Sequence, residues 1–116
     1  DYPMVMDTFG CTPKFIGENE AAVKALTKSY FEAVDLIKKD QAKSYEIMGA
    51  DVKQTGEQFV NSAKFLRWQG PEENKKFFAG ELQEFAKKAG ALLLEIGVIK
   101  QMPKMEDLFD ARFVNN

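Results

Sequence analysis

Along this chain the spacing of apolar residues changes near Asn19. Before it, residues 2–8 of "YPMVMDTF" form a short apolar run bounded by Pro3 and Gly10, which suits one buried strand better than a helix. Pro13 then opens "PKFIGE", where proline at a first helical position loses no hydrogen bond. From Asn19 onward Val23, Leu26, Tyr30, Val34 and Ile37 recur at steps of three and four, with Lys24, Lys28, Glu32, Asp35 and Lys39 on the other faces. The spacing predicts an amphipathic helix over residues 20–39, with Asn19 as N-cap and Lys38 and Lys39 at the negative end of its dipole.

Asp40 is placed to cap a following helix that carries Ala42, Tyr45 and Met48 inward and weakens at Gly49. In "TGEQF", Thr55 and Gln58 stand in the capping-box relation, and Phe59, Ala63 and Leu66 follow on one face. Gly70 and Pro71 end that helix, and Pro71 can open a short one through "PEENKKFF". A last long helix, over about residues 80–96, carries Leu82, Phe85, Ala89, Leu92 and Ile96 as one stripe, which reads as buried. Gly97 can close it in the left-handed conformation while Val98 folds back on the final turn. Pro103 blocks immediate re-entry, and "KMEDLFD" can make one more turn. The aromatic residues Tyr30, Phe31, Tyr45, Phe59, Phe65 and Phe85 are expected in the core, and Glu84 is expected to pair with Lys88 on the surface.

The predicted class is therefore mainly α as the chain stands, with four to five helices and one short strand. That strand cannot satisfy its own edge groups and calls for a sheet completed by other residues. The tail raises a related demand, because Met105, Leu108, Phe109, Phe113 and Val114 carry too much apolar surface to remain in water uncovered.

Composition narrows the chemistry. At 116 residues and 45% apolar content the chain can build one core. With 16 basic against 18 acidic residues the net charge of -2 offers no field for nucleic acid or an anionic membrane. The chain has no histidine, which removes Ser-His-Asp triads, Cys-His pairs and most zinc sites. A single cysteine, Cys11, excludes an internal disulfide and makes a Cys-ligated metal site implausible. No cofactor or metal is expected. No apolar run reaches the roughly 18 residues of a membrane span, and residues 1–20 lack the form of a signal peptide, so any export signal is expected to have been removed.

The residues "YPMVMDTFG", "ENEAAVKALTKSYFEAVDLIKKDQAKSYEIMGADVKQTGEQF", "LRWQ", "EENKKFF" and "LLLEIGVIKQMPKMEDLFDARFV", taken in that order, resemble the C-terminal part of ABC-transporter solute-binding proteins of the sulfonate, taurine and nitrate type, relatives of the thiamine-precursor-binding proteins. The resemblance covers essentially all 116 residues and rests on the order of the pieces. It implies a two-lobed α/β periplasmic-binding-protein fold of type 2, of which residues 1–116 supply the C-terminal segment: a returning strand at 2–8 and the helices of the first lobe. It further implies a periplasmic or extracytoplasmic location, capture of a small solute between lobes, and delivery to an ABC permease. On this reading the tail lies on a lobe surface contributed by earlier residues.

Asp7, Thr8 and Phe9 follow the predicted strand directly, and ligands of open α/β sheets bind beyond the carboxyl ends of strands. Asp7 could accept from an amine-bearing solute and Phe9 could wall an apolar substituent, although Asp7 and Thr8 equally suit a turn cap. A carboxylate also disfavours direct contact with a sulfonate. Trp68, beside Arg67, could form a stacked wall with a guanidinium for an anion, or pack as a rim aromatic under the "PEENKKFF" turn.

Three readings follow. In the first, the chain is part of a solute-binding component that does not bind solute alone and self-associates through its strand edge and tail. In the second, it is a stand-alone helical protein-interaction module. An enzyme is the weakest, since the carboxylate pairs Glu72 with Glu73 and Asp107 with Asp110 have no imidazole, metal cluster or phosphate loop beside them.

Overall fold

Three polar side chains decide where helices start in the computed structural model of the chain, which describes residues 6–115. Thr12 Oγ1 accepts from the Phe15 amide at 3.1 Å and opens α1 (Pro13–Glu18). Asp40 Oδ1 accepts from the Lys43 amide at 3.1 Å and opens α3 (Gln41–Asp51). At α4 (Gly56–Ala63) the capping box is complete: the Thr55 amide donates to Gln58 Oε1 at 2.8 Å and the Gln58 amide to Thr55 Oγ1 at 3.2 Å. Thr55→Ala removes one half of that exchange and is expected to lower unfolding stability by about 0.5 to 2 kcal/mol, read from the urea midpoint. An unchanged midpoint would show that water replaces the hydroxyl at no cost.

Between α1 and α3, α2 (Glu20–Lys39) has the bounds its spacing predicts. Asn19 stands at its N-cap position, but its Nδ2 donates to the Phe15 carbonyl at 3.1 Å, so the side chain closes α1 rather than opening α2. Pro71 begins α5 (Pro71–Lys76), which passes through a wide π-helical turn at Phe77–Glu81 and bends at Gly80 into α6 (Leu82–Glu95). Gly97, at φ 76°, then ends α6. The Val98 amide reaches back to the Leu93 carbonyl at 2.9 Å and the Gly97 amide to that of Leu94 at 3.1 Å, the hydrogen-bond pair of a Schellman closure. Short 3-10 turns follow at Met105–Asp107 and Ala111–Phe113.

The described residues are helices, turns and irregular chain, with no strand among them. Of the predicted strand at 2–8, residues 2–5 lie outside the described residues, while Met6, Asp7 and Thr8 are exposed and unpaired as strand. This corrects the expected α/β class: the chain is mainly helical, and no sheet is present in the described residues. The physical reason is that an apolar run becomes a strand only beside another strand that takes its amides and carbonyls.

The main core is small. Ile37 of α2, Tyr45 of α3, and Phe59 and Ala63 of α4 are buried together, with Met48 and Trp68 packed against them. Gly49 does not weaken α3, which runs on to Asp51; it lets α3 and α4 meet closely. Elsewhere Val34 is buried, and Phe113 and Val114 at the end of the tail are buried as well.

Several apolar residues expected in the core are not there. Phe65 is 90% exposed, and Leu26, Leu66, Phe85, Leu92 and Ile96 are all exposed. The stripe on α6 has the period of a buried face, yet only its first residue, Leu82, is buried, and Phe85, Leu92 and Ile96 stay exposed. In total the chain exposes 9391 Å², whereas a compact monomer of 13.1 kDa exposes about 6,400 Å² by the usual size scaling. Its radius of gyration is 16.7 Å, against about 13 Å for a compact domain of this length.

Candidate functional site

The sequence-predicted site residues fall in two places. Asp7, Thr8 and Phe9 lie in exposed irregular chain ahead of α1. Phe9 is held edge-on to Tyr30 of α2, with ring centroids 5.3 Å apart. Trp68 is anchored instead to α3, where its Nε1–H donates to the Tyr45 hydroxyl at 3.2 Å, a hydroxyl that also accepts from Gln41 Nε2 at 3.4 Å. Trp68 is thus tied into the main core through Tyr45, and Phe9 packs on a different helix. The four residues do not line one pocket.

Two open grooves cross the surface, and none of those four residues lines either one. Lys24, Lys28, Phe31, Pro71 and Phe113 line the first. Lys28 also pairs with Glu32 at 3.8 Å, so the charge lining this groove is of both signs. Ile47, Met48, Asp51, Val52 and Phe59 line the second, which is mostly apolar. Both are open to solvent and so cannot bury most of a small solute, as a specific site does. Among the described residues there is no group of three metal-ligating side chains, and no helix is long and apolar enough to cross a membrane.

Electrostatic organisation is strongest at the tail. Arg112 donates from Nε to Asp110 Oδ1 at 3.0 Å and from Nη2 to Asp110 Oδ2 at 2.7 Å, and its Nη1 lies 3.5 Å from Glu20 at the start of α2. The guanidinium also stands 5.2 Å from the Phe113 ring centroid. This arrangement clips the tail end to α2 and covers Phe113 and Val114 from within the chain, not against a distant surface. It was legible only in part: Asp110 and Arg112 are two residues apart, but the reach to Glu20 crosses most of the sequence. A second clip sits at the start of α5, where the amides of Glu73 itself and of Gly70, with Lys38 4.0 Å away, hold the Glu73 carboxyl below its usual range.

The hydrogen bonds from Arg112 hold the Asp110 carboxyl below the ordinary aspartate range, and Asp110 in turn raises Arg112. A carboxylate depressed in the folded state stabilises fully above its unfolded value, and that contribution is lost as pH falls through the folded one. Between the two values the wild type should therefore lose stability on acidification more steeply than Asp110→Asn. Parallel urea titrations of the two chains across the acid range check this, and equal slopes would remove Asp110 from the account.

In comparisons with known proteins, no family model, no curated protein and no solved structure matches this chain.

Proposed function

We propose that this chain is part of the solute-binding component of an ABC importer for a small anionic solute of the sulfonate, taurine or nitrate kind, and that it serves there as a helical supporting segment rather than as a binding site in its own right. The observation that carries the supporting role is the surface excess: 9391 Å² exposed against about 6,400 Å² for a compact monomer of this mass. Apolar side chains on α2, α3 and α6 contribute to it, and such surface is stable only when other polypeptide covers it. The transport role rests on the order of the sequence segments, from "ENEAAVKALTKSYF" to "MEDLFDARFV", which resembles the solute-binding proteins. The open grooves fit the same reading, because a solute held in either of them needs further residues to surround it. An extracytoplasmic location and an ABC permease as partner belong to this proposal.

The test is thermal shift on the complete product of the encoding gene, because a ligand that binds only the folded form raises the melting temperature. A rise with taurine, an alkanesulfonate, nitrate or a pyrimidine precursor, with none for the 116-residue chain, is the expected result. A gene product no longer than this chain would favour the second reading, a helical interaction module, for which the same exposed apolar surface speaks.

A further inference from the structure

Phe85, Ala89, Leu92 and Ile96 follow one another along α6 and into its C-cap at steps of four, three and four. These are the d and a positions of a coiled-coil seam. Beyond Leu82, which the chain itself buries, the stripe is left open: Phe85 is 51%, Leu92 56% and Ile96 62% exposed, although their spacing is that of a buried face. The tail reaches α6, with Met102 at Gly90, without burying these three side chains. The charges beside the seam are also uncommitted. Glu84 pairs with Lys87 at 3.2 Å instead of with Lys88, and among the described residues neither Lys88 nor Glu95 has an ion-pair partner.

We propose that α6 is a self-docking helix, by which two copies of this chain pair antiparallel about a two-fold axis. In that register Phe85 lies against the partner's Ile96, and Ala89 against the partner's Leu92. Lys88, at the g position, then comes beside the partner's Glu95, also at g, and the two-fold axis repeats this pair. The charges select the orientation: a parallel pairing would set Lys88 beside the partner's Leu93, whereas antiparallel g positions face one another. The interface is isologous and closes at two copies. A seam of about three turns takes up only part of the excess surface. Self-docking through α6 therefore stands apart from the transport reading, and the exposed apolar residues of α2 and α3 stay available for other cover.

Sedimentation equilibrium of the 116-residue chain over a concentration series tests the pairing, with a reductant present because the Cys11 thiol is exposed. The weight-average mass is expected to rise from 13.1 kDa toward twice that value. Leu92→Glu should hold the chain at its monomer mass with an unchanged helical circular dichroism spectrum, since Leu92 is exposed in the monomer. Lys88→Glu and Glu95→Lys should each weaken association by about tenfold through facing like charges, and the double variant should return it close to the parent. A monomer at every concentration, association untouched by Leu92→Glu, or a double variant as weak as the singles would each overturn the proposal.

Discussion

Phe59→Ala is expected to lose about 3 to 5 kcal/mol of unfolding stability, the usual cost of emptying a buried phenylalanine site. Phe59 sits at the centre of the main cluster, its ring edge-on to Tyr45 with centroids 5.3 Å apart, beside Ile37 and Ala63. Few other residues are fully buried, so little surrounding core exists to close over the cavity. Domains of ordinary stability hold only about 5 to 15 kcal/mol, and a chain with this much exposed surface is expected near the lower end. The variant should accordingly be partly unfolded without denaturant. Urea titration followed by far-UV circular dichroism and by Trp68 fluorescence checks it, since Trp68 packs on the same cluster. A loss below about 1 kcal/mol would mean that the cluster is not what holds α2, α3 and α4 together.

The second large effect is expected at Gly49, where two effects of opposite sign compete. Replacing a helical glycine with alanine ordinarily stabilises by about 0.5 to 1 kcal/mol. A Cβ at Gly49, however, would stand 3.0 Å from the carbonyl oxygens of Gln54 and Thr55 and 3.2 Å from Phe59 Cβ. The two oxygens belong to backbone in a tight turn, where the Gln54 amide donates to the Gly49 carbonyl at 2.8 Å. They cannot swing aside as a flexible side chain would. Overpacking costs about 1 to 3 kcal/mol, so Gly49→Ala should destabilise despite its better helix propensity. Gly17→Ala in α1 is the control, because a Cβ there meets nothing within 4 Å and the propensity gain should appear. Chemical unfolding of both variants decides it, and a stabilised Gly49→Ala chain would show that α3 and α4 can move apart freely.

Much of the helical plan was legible because it is local. The capping box of Thr55 and Gln58, the Asp40 cap, Pro13 and Pro71 at first helical positions and the left-handed Gly97 each act within a few residues. The bounds of α2 follow from the three-four spacing that starts after Asn19. The candidate site was less legible. For Trp68 the sequence suggests a packing partner in the nearby "PEENKKFF" turn, and nothing near it points to Tyr45, its hydrogen-bond partner 23 residues away. Asp7, Thr8 and Phe9 were placed by a strand that the described residues do not contain, so their grouping with Trp68 had no common frame.

The sequence by itself determined which segments are helical, where most of them start, and which faces are apolar, because capping, backbone restriction and periodicity act between residues close along the chain. Two stops differ, since α4 ends at Ala63 rather than at Gly70 and α3 runs past Gly49 to Asp51. Only the tertiary structure decided which of those apolar faces find cover. The stripes of α2 and α6 have the same period, yet Val34 and Ile37 are buried while Phe85, Leu92 and Ile96 are not. Periodicity states that a face requires a partner, but the partner is fixed by contacts between distant residues, as when the tail returns to α2 through Arg112 and Phe113. The tail also reaches α6, where Met102 meets Gly90, but beyond the buried Leu82 the side chains of Phe85, Leu92 and Ile96 remain exposed.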